Sequence, residues 1–477
     1  RRGGVGTARR GEPAAAGDRQ RGALGSPPPG AEESRGSGGE ADRAASRPGG
    51  WARVSDPTLS PQQADEAKER IRNWGRSCGL SALGVAPPEP PTRSGYLLDW
   101  LRLGRHGSMH YLARDPAARG DPTRMLDGCR SVLCAALDYH VDADPSVHAP
   151  GVGRISRYAW GDDYHDVFKE KLRGLAARIE EEWPETRTRV TVDTAPVLEK
   201  ELAAAAGIGW IGKHTNVIDP DRGSWFFLGE IFTNLPLPRD APISDHCGSC
   251  VRCIEICPTD AIDEPYRLDA TKCLSYWNIE HRGEIDSAIR PAMENWIFGC
   301  DLCQEVCPWN REPAPAAESR FEPRRANLGR PLRDWIDCGP EEYRDRFRRS
   351  AVKRARYDGF RRNVQVAWEN ERMGKGQGAS VASGGIRLYG ASWSPETRVA
   401  ARFLQRHGVE FELIHVDRDP DAARALQEAT GSRLVPVLRL GEEWIAAWSR
   451  RDGLLREKLA VRLGLAEKGT AIEDEER

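Results

Sequence analysis

Eight of the chain's 12 cysteines fall between Cys247 and Cys307, and their spacing constrains the fold more tightly than any other feature. The first run is C-x2-C-x2-C-x3-C-P (Cys247, Cys250, Cys253, Cys257, Pro258). A solitary Cys273 follows, and C-x2-C-x3-C-P closes the set (Cys300, Cys303, Cys307, Pro308). A backbone that wraps three thiolates round one cube turns the fourth away, so in paired-cluster proteins the last cysteine of each run ligates the other cluster. The pattern therefore predicts two 4Fe-4S clusters, one on Cys247, Cys250, Cys253 and Cys307, the other on Cys257, Cys273, Cys300 and Cys303. Two cubes side by side relay electrons, which points to redox chemistry. Structural zinc also takes thiolates at C-x2-C spacing, but it has no need of the three-residue step and proline that occur twice here. Extracellular disulfides fit less well with 12 cysteines in 477 residues. Cys78, Cys129, Cys134 and Cys338 lie outside the pattern and read as ordinary thiols.

A chain of 477 residues is long enough for two or three domains, and a net charge of -2 with 30% charged residues describes a soluble protein. No run approaches the roughly 18 apolar residues that a membrane span requires. Arg9 and Arg10 form a twin-arginine pair, but the apolar stretch of an export signal does not follow them. Oxygen-sensitive clusters and free thiols suit a reducing cytoplasm. The first 50 residues hold 13 Gly and 5 Pro, so residues 1–56 are expected to be a disordered tail that cannot bury enough surface to offset the cost of ordering.

The expected class is α+β, with four folded parts. Ser60-Pro61 reads as a helix cap leading into an amphipathic stretch over 64–78. Strands are predicted over 130–137, 189–192 and 225–235, and helices over 164–182 and 196–206, with Gly207 as a stop. Segments 215–218 and 224–231 flank Asp219-Pro220-Asp221-Arg222-Gly223, which reads as a hairpin turn. Residues 57–240 thus form one predicted α/β domain ahead of a ferredoxin-like two-cluster module at 241–315. Residues 316–372 are Arg-rich. Within 344–362 nine Lys or Arg stand against Asp345 and Asp358, with Tyr343, Phe347, Tyr357 and Phe360 interleaved. Such a helix is either a solvated face whose aromatics pack inward or a surface for nucleic-acid phosphates. A Gly/Ser-rich linker spans 373–385. From 386 to 465 the order β-α-β-α-β-β-α resembles the thioredoxin/glutaredoxin fold, with Val435-Pro436 where such folds keep a cis proline. A charged tail (466–477) ends the chain. The redox motif would be Ser394-Pro395-Glu396-Thr397, with hydroxyls in place of both thiols, so this module cannot exchange disulfides.

Residues 154–310 closely resemble epoxyqueuosine reductase, a cobalamin and iron-sulfur enzyme family that completes queuosine in tRNA. The matching stretches are Arg154-Ile155-Ser156-Arg157-Tyr158, Asp163-Tyr164-His165, Val192-Asp193-Thr194-Ala195-Pro196-Val197-Leu198-Glu199, Gly207-Ile208-Gly209-Trp210-Ile211-Gly212-Lys213-His214 and Phe227-Leu228-Gly229-Glu230. Cys257-Pro258-Thr259, Cys273-Leu274-Ser275-Tyr276 and Gly299-Cys300-Asp301-Leu302-Cys303 continue the match. A looser likeness runs from 57 to 370 and includes Gly107-Ser108-Met109. Neither the glutaredoxin-like tail nor the Gly-rich head belongs to the matching part.

The resemblance implies removal of an epoxide oxygen from the wobble nucleoside of tRNA with a GUN anticodon (Asp, Asn, His, Tyr), with cobalamin and two 4Fe-4S clusters as cofactors. It implies Asp193 as the proton donor. That role would require burial to raise the carboxyl pKa from its usual value near 4; otherwise Asp193 only supports the start of the helix opened by Pro196. Cobalamin contacts are implied for Ser156, Asp193, Val217, Leu228, Ile231, Ser275, Cys300 and Asp301. Asp163-Tyr164-His165-Asp166-Val167-Phe168 begins the D-x-H-x-x-G motif of base-off cobalamin proteins and then fails at Phe168. His165 therefore reads as a helix-surface or tRNA-side residue rather than a cobalt ligand. A flavodoxin- or ferredoxin-type donor, a monomeric state and no membrane partner complete the expectation. The alternatives are a corrinoid reductase resembling the reductive dehalogenases and a simple electron-transfer module.

Overall fold

The computed structural model describes residues 57–149, 151–376 and 385–446. The predicted head, the final tail and the last helix of the glutaredoxin-like part lie outside the described residues. No helix among those described is long and apolar enough to cross a membrane.

The N-terminal domain starts as its sequence suggests. The Ser60 hydroxyl accepts from the Gln63 amide, and the Gln63 side chain accepts from the Ser60 amide, a reciprocal cap for α1 (Pro61–Ser77). The elements that follow are β1 (Ala82–Ala86), β2 (Ser131–Asp138), α2 (Tyr164–Glu182), β3 (Thr188–Thr191), α3 (Glu199–Ala205) and β4 (Phe226–Thr233). The strands form one sheet in the order β1-β2-β4-β3, and every neighbouring pair is antiparallel. This corrects the predicted α/β domain: strands and helices do alternate in sequence, but each return strand runs against its neighbour, so the layer is α+β. Alternation along the strands gives the sheet two apolar faces. Leu133, Leu137 and Ile231 pack with Phe168, Leu172 and Leu175 of α2, whereas Val132, Ala136 and Phe232 pack with Leu202 and Ala203 of α3.

The predicted hairpin at 219–223 is also corrected. The turn closes as expected, with Asp219 N–H donating to Gly223 O at 2.8 Å and Gly223 in the left-handed region (φ 77°). Its arms part company: Val217–Ile218 pairs with Trp210–Ile211, while β4 joins the main sheet. The turn is held instead by the cluster module. A side chain on Gly223 would strike Asn310 and the Trp309 carbonyl, and Ser224 N–H donates to Asn310 Oδ1 at 2.6 Å.

The basic stretch is not one continuous helix: α4 (Pro340–Arg346) and α5 (Arg356–Gly376) are separated by a short 3-10 turn at Ala351–Ala355, and α5 extends into the predicted linker. Its aromatics face inward. Tyr343, Phe347 and Phe360 are buried and pack round Trp335 with Ile297 and Phe298 of the cluster module. The cations face outward: Arg348, Arg349, Lys353, Arg356 and Arg361 are exposed. The tail module carries a second sheet of β5 (Ile386–Gly390), β6 (Phe411–His415), β7 (Val437–Leu440) and β8 (Glu443–Ala446), with α6 (Pro395–Arg406) and α7 (Pro420–Thr430). Its strands lie in the order β6-β5-β7-β8, and Val435-Pro436 is cis as expected.

The inward aromatics set a test of this packing. Phe360→Ala should destabilise the chain by about 3–5 kcal/mol through the cavity it opens, seen as a lowered melting midpoint, whereas Arg361→Ala should stay within about 0.5 kcal/mol. Equal effects would contradict the assignment of Phe360 to the core.

Candidate active site

A two-strand splice fixes where the cluster module meets the N-terminal domain. Arg154–Ile155 pairs in parallel with Trp296–Phe298, and Ser156 N–H donates to Phe298 O at 2.8 Å. Gly299 must follow, because it sits at φ 68° and a Cβ there would lie 2.4 Å from Ser156 Cβ. Its amide and carbonyl are clasped by Asn278 at 2.8 and 2.9 Å, and Asn278 is held in turn by Asn363 of α5. A second clasp joins two other motifs: Ser108 N–H donates to the Tyr276 hydroxyl at 2.9 Å, and Gly107 leaves room for that ring.

The electrostatic neighbours of the cysteines fall mainly into two sets, although among the described residues no three of them are close enough to hold one metal ion. Burial pushes the Cys253 thiol up to about 12, helped by its neighbours Cys250, Cys307 and Cys247. Cys307 is pushed up to about 11, by burial and then by Cys250 and Cys247, so it sits with the first run despite its place at the end of the second. Cys273 is raised by burial and by Cys257; Cys300 is raised by burial, Cys303 and Cys273. Cys303 feels Cys253 as well as Cys273 and Cys257, which brings the two groups close together. Thiolates crowded in this way are costly by themselves, and bound iron would remove that cost by its positive charge. The donor set thus fits paired clusters. Cys78 is half-buried, and Cys129, Cys134 and Cys338 are buried, all away from these groups.

Asp193 follows the edge strand β3. It adopts a left-handed conformation (φ 58°), which aspartate tolerates better than most residues, and its side chain is 54% exposed. The helix beyond begins at Glu199 with Leu198 as its cap, so Asp193 does not cap it; instead the Glu199 carboxylate accepts the Asp193 amide. Opposite stands His165, in the first turn of α2. Its Nε2 lies 2.9 Å from Asp193 Oδ2 and its Nδ1 lies 2.7 Å from Asp163 Oδ1. Burial opposes charge on the ring, but the hydrogen bonds to Asp163 and Asp193 outweigh it and push His165 up to about 9. The expectation of a raised Asp193 is corrected accordingly: burial works in that direction, yet the His165 hydrogen bond and charge hold the carboxyl below its usual range. At neutral pH the proton resides on His165, which donates to both aspartates. Neither ring nitrogen is left for a metal.

Behind this pair lies a carboxyl couple that sequence reasoning quoted but gave no role. Glu230 on β4 is fully buried, accepts from the Thr191 hydroxyl at 2.7 Å and is pushed up to about 8 by burial. Glu199 is raised as well, by burial and then by Glu230 and Asp193. In front, Arg354 grips Glu280 through two bonds of 2.7 Å and lies 5.5 Å from the Tyr111 ring, and its charge helps to keep Asp193 ionised.

The remaining predicted contacts separate. Asp193, Leu228, Ser275 and Cys300 keep exposed or partly exposed surface. Ser156 and Asp301 are buried and bond to each other, with Asp301 also accepting Arg157 N–H at 2.7 Å. Burial, then Glu305, pushes Asp301 up to about 6. Val217 is buried in the core beside α3. Ile231 is fully buried on the α2 face of the sheet, whereas Leu228 packs on the α3 face, so their side chains leave opposite sides of β4.

A double-cluster iron-sulfur protein built on an antiparallel α+β domain is the class these features define. Residues 246–310 match the family described as "4Fe-4S double cluster binding domain", residues 119–194 the family "Epoxyqueuosine reductase QueG, DUF1730", and residues 386–445 "Glutaredoxin". The chain is 42% identical over 314 residues to the epoxyqueuosine reductase of Leadbetterella byssophila, covering 64% of this chain and 99% of that protein. It is 40% identical over 317 residues to that of Pseudomonas aeruginosa, covering 65% and 88%. The chain belongs to the epoxyqueuosine reductase family. Its fold matches a crystal structure of an epoxyqueuosine reductase with an epoxyqueuosine-modified tRNA-Tyr stem loop at a TM-score of 0.61 and 23% identity, covering 84% of this chain and 98% of that one. The enzyme from Streptococcus thermophilus gives 0.57 and 23%, covering 83% and 99%.

The His165 pair has a defined pH window. A histidine raised from about 6.5 to about 9 stabilises the fold fully below the first value and loses that contribution as pH rises through the second. The depressed Asp193 adds stability that is lost as pH falls through its lowered pKa. Nitrogen-15 NMR of His165 should titrate near pH 9, and Asp193→Asn should move the midpoint down by about one unit. A midpoint near 6.5 in the unsubstituted protein would remove the imidazolium from the site.

Proposed function

We propose that this chain is an epoxyqueuosine reductase, converting epoxyqueuosine to queuosine at the wobble position of tRNA with GUN anticodons (Asp, Asn, His, Tyr). Family membership supports the reaction, and the observation that carries it into the site is the His165–Asp193 pair, whose neighbouring charge Arg354 is bonded to Glu280 of the cysteine-bearing segment. Opening an epoxide to an alkene and water consumes two electrons and two protons. Cobalamin, when bound, would supply low-valent cobalt for oxygen removal, and two 4Fe-4S clusters on the two cysteine sets would supply electrons one at a time from a flavodoxin- or ferredoxin-type donor. Asp193, Leu228, Ser275 and Cys300 are the residues suited to hold the corrin, with the bonded pair Ser156 and Asp301 buttressing Cys300. His165, with both nitrogens engaged by aspartates, does not ligate cobalt.

The protein's own part is proton delivery. Asp193 is the group presented to the departing oxygen, and it carries a proton drawn from His165, so the acid is the hydrogen-bonded pair rather than an isolated carboxyl. Glu230, pushed up to about 8 by burial, retains its proton near neutral pH and, with Glu199 raised by burial beside it, is a source for the second proton. The exposed Arg348, Arg349, Lys353, Arg356 and Arg361 form the surface for anticodon-arm phosphates. The protein works as a cytoplasmic monomer.

The test is incubation of cobalamin- and iron-reconstituted protein with epoxyqueuosine tRNA and dithionite, followed by nucleoside mass analysis. Loss of one oxygen atom from the modified nucleoside is expected, and Asp193→Ala should slow it about a hundred- to ten-thousand-fold. His165→Gln should slow turnover in the same direction and abolish the pH dependence near 9. Product formation at an undiminished rate by Asp193→Ala would overturn the acid assignment. For the nucleic-acid surface, binding should weaken steeply with salt, and each Arg→Gln change at 348, 349 or 356 that removes a phosphate contact should lower the log–log slope by about 0.7 to 0.9. An unchanged slope in the triple variant would take tRNA binding away from this face.

A further inference from the structure

The glutaredoxin-like module has lost its chemistry yet kept a built interface. Ser394 and Thr397 stand at the two thiol positions and both are buried: Ser394 Oγ accepts from Thr397 N–H and Thr397 Oγ1 accepts from Ala391 N–H, each at 3.1 Å. Neither hydroxyl is presented to a substrate. The helix that follows, α6, lies instead against the cluster module. Val399 is 1% exposed and shares a core cluster with Cys253, Ile256, Leu302 and Val306.

Around that anchor, three arginines at successive i, i+4 positions share one face of α6, and all three reach the cysteine segments. Arg398 Nη1 lies 2.9 Å from Glu305 Oε2. Arg402 Nη2 donates to Pro258 O at 2.8 Å. Arg406 donates to Ile254 O at 3.3 Å, to Cys257 O at 3.4 Å and to Asp260. Glu305 stands between Cys303 and Cys307 in sequence and is also bonded at 2.6 Å to the buried Arg154, which lies 3.9 Å from the Trp296 ring. A carboxylate so close to the thiolates would disfavour adding an electron nearby, and the two flanking guanidinium groups offset it.

We propose that the thiol-less module is an electrostatic clamp on the double-cluster module, in which the Arg398, Arg402 and Arg406 row raises the reduction potential of the clusters and Val399 holds the cysteine segments together. When a cube takes up one electron its charge falls by one, and fixed positive charge beside it favours the reduced form; charge, hydrogen bonding and exposure are the protein's means of setting such potentials. The inference rests on the double-cluster assignment and not on the tRNA reaction.

The experiment is a dithionite titration, followed by electron paramagnetic resonance, of full-length reconstituted protein bearing Arg398→Gln, Arg402→Gln and Arg406→Gln together. The clusters should reduce at lower potential than in the unsubstituted protein at equal iron content, and the triple Arg→Lys variant should return most of the shift. Val399→Asp, which should undock α6 without removing a cation, should speed amide hydrogen exchange over 252–260 at least tenfold. An unchanged potential in the Gln variant, or an equal fall in the Lys variant, would overturn the electrostatic role. Unchanged exchange in Val399→Asp would overturn the clamp. Absence of tRNA turnover in the unsubstituted protein, with the potential shift of the Gln variant intact, would bear on the reaction alone.

Discussion

The pairing of Arg154–Ile155 with Trp296–Phe298 is the contact on which the site depends, because it is the only place where the strands of the N-terminal domain and those of the cluster module run together among the described residues. Two strands so short would not persist alone. They are held from both ends: Asn278 and Asn363 bond the backbone about Gly299, and the aromatic core of α4 and α5 packs on Ile297 and Phe298. The Arg-rich helices therefore serve the site twice over, with inward aromatics that brace the splice and outward cations that are free to meet phosphates. Deleting the region would remove the apolar support of the splice as well as the proposed binding face.

Much of this was legible in the sequence wherever chemistry is local. The C-x2-C-x2-C-x3-C-P spacing carries its crossover with it, since the geometry of one loop decides where the fourth thiolate points. Ser60-Pro61 capped its helix, Asp219 to Gly223 turned, and Ser394 to Thr397 marked the lost thiols for similar reasons. What failed was long-range. Strand direction in the N-terminal domain depends on which edges meet after the chain has wandered, and the periodicity of β2 and β4 is the same in either direction. The resemblance implies contacts at both Leu228 and Ile231, and three residues along a strand reverse the face, so spacing alone does not place their side chains together. His165 reads from its motif as a helix-surface or tRNA-side residue, and its bonds to Asp163 and Asp193 are not visible in that motif. The signal that could have found them is the pair of carboxylates near it, Asp163 two residues back and Asp193 at the next strand end.

The sign of the Asp193 shift illustrates how burial and charge compete. Burial favours the neutral acid, and an isolated carboxyl beside an apolar cofactor would be protonated for that reason. An imidazolium 2.9 Å away reverses the outcome, because one opposite charge at hydrogen-bond distance outweighs partial desolvation of a side chain that is still 54% exposed. The left-handed backbone at Asp193 contributes by turning the carboxylate away from the α3 helix it precedes and toward α2. Strain at one residue thus selects the partner, and the partner sets the charge.

A paired acid also suits the demands of the reaction better than a neutral aspartic acid would. Oxygen leaving a ring as an alkoxide needs a donor only as charge develops, and a carboxylate that already shares a proton with His165 delivers it without first being desolvated in its charged state. Once that proton has gone, Asp163 keeps the ring oriented through Nδ1, and recharging requires one proton at His165 rather than a rearrangement of the cleft. Glu199 accepts the Asp193 amide and neighbours the buried Glu230, whose pKa burial pushes up to about 8, so a second carboxyl able to hold a proton lies near Asp193 on the sheet side. In the proposed reaction electrons would enter from the thiolate side and protons from the helix and sheet side, so the two supplies would stand on separate structural elements.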